Sequence, residues 1–392
     1  MAAASSKIPI IDFSLAGLEP GANLWFSTCQ QVCNALEEHG CFEAIYSHDK
    51  FPPNLRKQIF DVAKELYDLP LETKKKTCTD KPTRGYLAVS QIHEGIGIYN
   101  ADTLQGVQNF TTLMWPDGNH QFSENVYNVA NVIKELDQKV VRMVCEYYGS
   151  EKHYDSLVKK TTYDLRFSKY KTCKVIENNL GLRSHTDKTF ATILHENDVN
   201  GLELLTKDGD WVLFVPSSTS SFLYLAGEAF KSKNFTIFPQ KSRKKNPSNK
   251  PALEYYSGSQ FHEGLGIDNA DTLQGVQNFI TLMWPDGNQQ FGETEYKVVN
   301  IIKELDKKVL EMVWSNGRMH PTLHRVIANR DKERYTVGLY TFNEGMICVP
   351  DELVDNKNPL RYKPLNHHDF LKQVMYHAEK KIGYSLEDYC GT

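Results

Sequence analysis

Arg183-Ser184-His185-Thr186-Asp187 places an imidazole and a carboxylate one residue apart, amid short apolar segments that follow one another closely. In an extended strand, side chains at i and i+2 leave the same face, so His185 and Asp187 can grip one metal ion while Thr186 points away. A third ligand must come from elsewhere in the chain. His324, which runs into Arg325-Val326, is the best candidate. Two imidazoles and one carboxylate leave several positions open on a divalent ion such as Fe(II).

Arg334 and Thr336 repeat the same spacing ten and twelve residues further on. A planar guanidinium beside a hydroxyl suits a carboxylate held through two parallel hydrogen bonds. The surrounding segments also read as strands, over 162–170, 182–187, 190–195, 201–206, 211–215, 221–226, 314–318, 323–328 and 334–342. Asp208-Gly209 supplies a hairpin turn among them. Strands this short and dense indicate a jelly roll. The expected fold class is therefore mainly β with flanking helices: a jelly-roll core behind an N-terminal α/β region. In that region a strand at 8–12 precedes a helix over 22–38 closed by Gly40, then a strand at Cys41 to Tyr46 and a helix with the stripe Leu55, Ile59, Val62 and Leu66. Val129, Ile133, Leu136, Val140 and Val144 mark a long support helix. Near the end, Asn366 and Asp369 form a helix start, with Phe370, Leu371, Val374 and Ala378 facing inward.

With these motifs in place, the chain resembles the plant Fe(II)/2-oxoglutarate-dependent dioxygenases, which bind iron with His-x-Asp and a distant His, and 2-oxoglutarate with Arg-x-Ser. Further matches are Ile8-Pro9-Ile10-Ile11-Asp12-Phe13, Leu69-Pro70-Leu71-Glu72, Trp314-Ser315-Asn316-Gly317-Arg318 and Pro350-Asp351-Glu352-Leu353-Val354. Met114-Trp115-Pro116-Asp117-Gly118 and Tyr389-Cys390-Gly391 look most like the branch named for glucosinolate side-chain dioxygenases. The resemblance implies a double-stranded β-helix core, Fe(II) on His185, Asp187 and His324, and 2-oxoglutarate on Arg334, Thr336 and Tyr170. It implies no catalytic residue beyond the metal ligands. O2 is the second cosubstrate, ascorbate an accessory reductant, and the substrate a small specialised metabolite that is hydroxylated or otherwise oxidised. Two positions depart from the pattern: Thr336 replaces a serine but keeps the hydroxyl, and Ser168-x-Tyr170 replaces Asn-x-Tyr.

The chain also carries an interruption. Residues 93–144 and 262–313 are one segment written twice at an offset of 169, with 39 identities in 52 positions. Two distant copies do not make a solenoid, which needs at least three stacked units. Between Asp187 and His324 lie 136 residues, and removing 232–312 reduces that separation by 81 to 55, joining Lys231 to Val313 in a continuous family-like stretch. The expected organisation is an N-terminal region over 7–120, the support helix over 121–158 and a core from 159–231 plus 313–346. An insertion over 232–312 and C-terminal helices over 347–392 complete it. The copied helix at 296–313 repeats an apolar stripe, Val299, Ile302, Leu305 and Val309, with no second groove to fill. Lys231 to Leu253 holds seven Lys or Arg and no acid, with three prolines; a solvated linker is a better reading than a nucleic-acid patch.

Other histidines read as structural. His320 precedes Pro321 and would not converge with His324; His195 suits the core or its rim; His367-His368 starts a helix and is expected to face solvent. Cys29 and Cys33 fall at core spacing with His39 beyond them. The net charge of −4 argues against a nucleic-acid partner. No apolar run approaches the roughly 20 residues that cross a bilayer. Met1 to Lys7 lacks the apolar core of a signal peptide, and Cys390 is misplaced for prenylation. The eight cysteines then suit reduced thiols in the cytoplasm, and a monomer is expected. The rival to an active oxygenase is a fusion product whose insertion disrupts the iron site. A metal-free jelly-roll binding module is disfavoured by the surviving ligands.

Overall fold

The computed structural model describes residues 8–78, 85–88, 90–174, 180–228, 253–258, 262–267, 314–379 and 389. The copied helix expected over 296–313, the basic stretch 231–252, the junction of Lys231 with Val313, Met1 to Lys7 and Cys390 lie outside them. The chain forms two compact units, Met1–Asn234 with Leu310–Thr392, and Phe235–Val309.

The first unit opens with β1 (Ile10–Asp12), α1 (Asn23–Glu38), β2 (Cys41–Ile45), α2 (Pro53–Asp68) and α3 (Leu71–Lys75). Gly40 ends α1 at φ +69°, and a Cβ there would lie 2.2 Å from the His320 carbonyl oxygen, so the stop and the close approach both require glycine. A hairpin of β3 (Gly85–Ala88) and β4 (His93–Ile98) leads into α4 (Leu104–Met114) and the long α5 (His120–Tyr147). The Asn119 side chain caps α5, accepting from the Phe122 amide at 2.9 Å. The inward stripe of α5, Val129, Ile133, Leu136, Val140 and Val144, is fully buried. Asp137 shares that face and accepts from the Tyr224 and Tyr163 hydroxyls at 3.0 and 3.2 Å, tying the helix to two strands.

After α6 (Tyr154–Lys160) come β5 (Thr161–Tyr170), β6 (Leu180–His185), β7 (Ala191–Glu196), β8 (Leu202–Leu205), β9 (Trp211–Leu213) and β10 (Ser221–Ala226). Asp208-Gly209 turns β8 into β9 with Gly209 at φ +84°, as the sequence predicts. The second unit contributes the hairpin β11 (Leu253–Gly258) and β12 (His262–Ile267). Its register, Tyr255 opposite Leu265 and Ser257 opposite Glu263, is that of β3 and β4 shifted by the repeat offset, where Tyr86 opposes Ile96 and Ala88 opposes Glu94. The duplicated strands β4 and β12 thus each pair, in equivalent register, with a preceding strand that lies outside the repeat. The chain closes with β13 (His324–Ile327), β14 (Arg334–Asn343), the short pair β15 (Met346–Ile347) and β16 (Leu365–Asn366), and α7 (His367–Glu379).

The first unit's two main sheets run β1-β2-β10-β7-β14-β5-β4-β3 and β6-β13-β8-β9. The first lays its outer face on α1, α2 and α5 in the larger core. A second core of Cys41, Tyr170, Leu202, Leu204, Phe214, Leu223, Leu225 and Val326 draws residues from both sheets. This is the expected double-stranded β-helix.

Three local expectations are corrected. Residues 314–318 form a turn rather than a strand, because Asn316 and Gly317 take φ of +49° and +83° while the Asn316 amide donates to the carbonyls of Leu353, Asn358 and Pro359. The strand expected over 182–187 ends at His185, so Asp187 stands on the loop beyond it. His367 is buried rather than solvent-facing: its Nδ1 accepts from the Asn343 amide at 3.2 Å and its Nε2 lies 2.8 Å from the Lys188 carbonyl oxygen.

Candidate active site

His185, Asp187 and His324 converge across the sequence separation. His324 opposes His185 in the β13–β6 register, and the two rings lie 4.3 Å apart. His185 Nε2 is 3.6 Å from Asp187 Oδ1, and His324 Nε2 is 3.9 Å from Asp187 Oδ2. One potential ligand atom from each residue falls within a mutual 4.8 Å. His185 Nδ1 faces the Arg183 carbonyl oxygen at 2.8 Å and His324 Nδ1 the Thr322 carbonyl oxygen at 3.0 Å. A carbonyl can only accept, so each Nδ1 carries the hydrogen and each Nε2 presents a lone pair to a metal.

Burial opposes ionisation of Asp187, yet the positive charge that His324 and His185 carry when protonated shifts its carboxyl below the usual range. Burial together with His185 lowers the pKa of His324, keeping it neutral. Asp187 Oδ2 is buried with no hydrogen-bond partner. A carboxylate with one imidazole lone pair near each oxygen, and Oδ2 otherwise unpartnered, fits a divalent cation. The Asp187 loop is held from behind: the Glu228 amide donates to the Asp187 carbonyl at 2.7 Å, while the buried Glu228 carboxylate accepts from Thr186 Oγ1 and Lys188 Nζ. Thr186 lines the same cavity as Asp187 while its hydroxyl engages Glu228, because β6 ends at His185 and strand alternation does not extend to 186 and 187.

Strand register also gathers the residues expected to anchor a carboxylate. Arg334 opposes Tyr170 and Thr336 opposes Ser168 across β14 and β5, while Thr336 opposes Glu196 across β14 and β7. Arg334, Thr336 and Tyr170 are all buried, and the guanidinium carbon stands 5.1 Å over the Tyr170 ring. Glu196, which sequence reasoning missed, accepts from Arg334 Nη2 at 2.6 Å and Nε at 3.1 Å through one oxygen. Arg334 Nη1 and Glu196 Oε1 remain buried without partners. A distal carboxylate can take the free Nη1 and the Thr336 hydroxyl.

A cavity of about 240 Å3 adjoins the triad, lined among others by His93, Arg166, His185, Asp187, Tyr340 and Phe342. Arg166 had a readable signal, since it precedes Ser168 and Tyr170 by strand steps on the same face. His93 had none, because its place beside Tyr170 depends on the register of β4 against β5. His195 is a core residue whose Nδ1 meets the Ser221 carbonyl and whose Nε2 accepts from Arg56.

The chain is 31% identical to the probable 2-oxoglutarate-dependent dioxygenase AOP1 of Arabidopsis thaliana, over 94% of this chain and 90% of that protein. It belongs to the Fe(II)/2-oxoglutarate-dependent dioxygenase family. The profile of the 2OG-Fe(II) oxygenase superfamily matches residues 143–247, and that of the non-haem dioxygenase N-terminal region in morphine synthesis matches 8–113. The Arabidopsis 2-oxoglutarate-dependent dioxygenase AOP2 is 28% identical over 100% of this chain and 99% of its own length. Among solved structures, the rice dioxygenase for auxin oxidation superposes with a TM-score of 0.64 at 20% identity, covering 98% of this chain and all of that one. JOX2 in complex with 2OG, Fe and JA gives 0.60 at 18% identity, over 96% of this chain and 89% of that one. This dioxygenase uses Fe(II) and 2-oxoglutarate. Among the described residues, no helix is long and apolar enough to cross a membrane.

Proposed function

We propose that His185, Asp187 and His324 hold the iron, that Arg334, Thr336 and Tyr170 hold the distal carboxylate of 2-oxoglutarate, and that the adjoining cavity takes a small specialised metabolite. The observation that carries the assignment is the Asp187 carboxylate, its Oδ2 buried and unpartnered, beside two imidazoles whose Nδ1 atoms are tied to carbonyls. Bound iron with 2-oxoglutarate and O2 supplies the oxidising power, 2-oxoglutarate leaving as succinate and CO2. The chain's own residues orient and enclose. Arg334 and Thr336 fix the cosubstrate's far end, Glu228 steadies the Asp187 loop, and Tyr340, Phe342 and Leu182 provide an apolar wall that limits water beside the metal.

The substrate class agrees with relatives whose names point to small molecules, auxin oxidation for one and JA for another. Residues 232–312 are read as an insertion; the two compact units divide within three residues of each limit. Convergence of the triad across that interruption supports an active enzyme over a disrupted fusion. A cytoplasmic monomer completes the reading, supported by seven free cysteines among the described residues. Succinate formation from 2-oxoglutarate, measured with Fe(II) and O2 for the parent and Asp187→Ala, tests the assignment. The parent should turn over 2-oxoglutarate and the variant should not; equal rates would refute it.

A further inference from the structure

Among the polar residues lining the cavity beside the triad, His93 stands out, because neither iron nor 2-oxoglutarate accounts for it. His93 opens β4 directly opposite Tyr170, and its ring stacks on the Tyr170 ring with centroids 4.3 Å apart and planes inclined by 7°. It is 5% exposed, and both ring nitrogens are buried without a hydrogen-bond partner. Buried polar atoms are nearly always paired in native proteins, so an imidazole with two idle nitrogens on a cavity wall marks a place where a ligand supplies the partner.

The chemistry of that partner follows from the surroundings. Burial, reinforced by the Arg166 and Arg334 guanidiniums, pushes the His93 pKa down to about 4, so the imidazole is neutral and offers one N–H donor and one acceptor. Arg166 lines the same cavity, its guanidinium carbon 5.1 Å over the Tyr340 ring. A donor beside a fixed positive charge favours an anionic oxygen. Tyr340, Phe342, Leu182 and Leu371 make the rest of the wall largely apolar. At about 240 Å3 the space falls below the roughly 300–1,000 Å3 of drug-sized sites, so the molecule is compact.

We propose that His93 and Arg166 form the substrate anchor of this oxygenase, selecting a small molecule with a carboxylate at one end and an apolar body at the other. The proposal rests on the oxygenase reading above. In it the His93 N–H donates to the substrate carboxylate while Arg166 supplies the countercharge. His93 takes no part in the oxidation, and its role is specificity.

Calorimetric titration of the anaerobic protein, loaded with Fe(II) and saturating 2-oxoglutarate so that Arg334 is already occupied, tests this with matched probes. Phenylacetate is compared with phenylacetamide, and hexanoate with hexanamide. The parent should bind each acid at least tenfold more tightly than its amide. His93→Phe, which keeps the ring stack but removes both nitrogens, should reduce the preference below threefold, and His93→Gln should retain part of it. The visible band of the iron–2-oxoglutarate chelate is recorded in every sample. Its absence from the parent means that the oxygenase reading fails, and the anchor with it. With the band present, no acid preference in the parent, or a preference unchanged in His93→Phe, overturns the anchor alone. Loss of the band in both His93 variants would assign His93 to cosubstrate binding through Tyr170 and likewise overturn it.

Discussion

Arg334 and Glu196 form a buried ion pair in which one carboxylate oxygen accepts from Nη2 at 2.6 Å and Nε at 3.1 Å, leaving Nη1 and the second oxygen without partners. Both residues are about 97–98% enclosed. The guanidinium proposed to receive the cosubstrate is therefore partly neutralised by Glu196. Two consequences with opposite signs follow from that pair.

Arg334→Ala removes the carboxylate anchor and strands Glu196; breaking such a buried pair costs about 3–5 kcal/mol. The variant should lose orders of magnitude in 2-oxoglutarate affinity while still binding iron. Glu196→Gln keeps a hydrogen-bond acceptor but removes the negative charge facing the incoming carboxylate. It should lower the melting temperature of the cosubstrate-free protein and tighten 2-oxoglutarate binding. Titrating 2-oxoglutarate against each variant checks both; weaker binding in Glu196→Gln would show that Glu196 assists rather than opposes the cosubstrate.

Glu228 predicts a separate effect on the metal. Its carboxylate engages Thr186 and Lys188 on either side of Asp187, and its amide holds the Asp187 carbonyl. Loss of a group that orients a metal ligand costs roughly 10–100-fold in metal affinity. Glu228→Ala should weaken Fe(II) binding by about that factor, with a smaller change in the 2-oxoglutarate constant measured at saturating iron. Unchanged iron affinity would show that the Asp187 loop holds itself in place.

Asp137 makes stability depend on pH. Burial raises its pKa to about 7 despite hydrogen bonds from Tyr224 and Tyr163. The folded protein then keeps a proton that the unfolded chain releases near pH 4, so this contribution is full below about pH 4 and is lost as pH rises toward 7. The loss amounts to roughly 4 kcal/mol at the upper end. Asp137→Asn, which still accepts from a tyrosine, should match the parent at low pH and exceed its stability at pH 8. Parallel melting curves across pH 4–8 would exclude the effect.

Deleting 232–312 should raise thermal stability and 2-oxoglutarate turnover. The first copy's helix α5 already fills its groove with Val129, Ile133, Leu136, Val140 and Val144, so a second sequence with the same apolar stripe is surplus to that groove. Closing a long excursion costs little by itself, about 0.6 kcal/mol for each doubling of length. The gain should therefore come from removing surplus apolar sequence. A deletion variant with a lower melting temperature and slower turnover would show that the second copy is integrated into the fold.

The sequence made the site legible where it depends on strand alternation. Arg334 and Thr336 sit two residues apart on β14 and Tyr170 ends a long strand on the matching face, whereas His185 and Asp187 share the spacing but the loop after β6 carries Asp187. It was less legible where register or loop chemistry decides. Glu196 meets Arg334 and His93 meets Tyr170 across neighbouring strands, and no local pattern in one strand announces its partner in another. His367 resembles an exposed helix start until the Asn343 amide and the Lys188 carbonyl claim its two nitrogens. Asn316 reads as part of a strand until its side chain takes three carbonyls and its backbone turns left-handed. The repeat was visible as sequence identity, while the matching register of its two hairpins needed the structure.

The central claim is that His185, Asp187 and His324 together form the iron site despite the 136 residues between the last two. Anaerobic addition of Fe(II) and 2-oxoglutarate, followed by visible absorption, tests it most directly. The parent should bind one Fe(II) and develop the charge-transfer band of the chelate, and Ala at any one of the three positions should abolish that band while leaving the protein folded. A band that survives in all three variants, or never forms in the folded parent, would contradict the account.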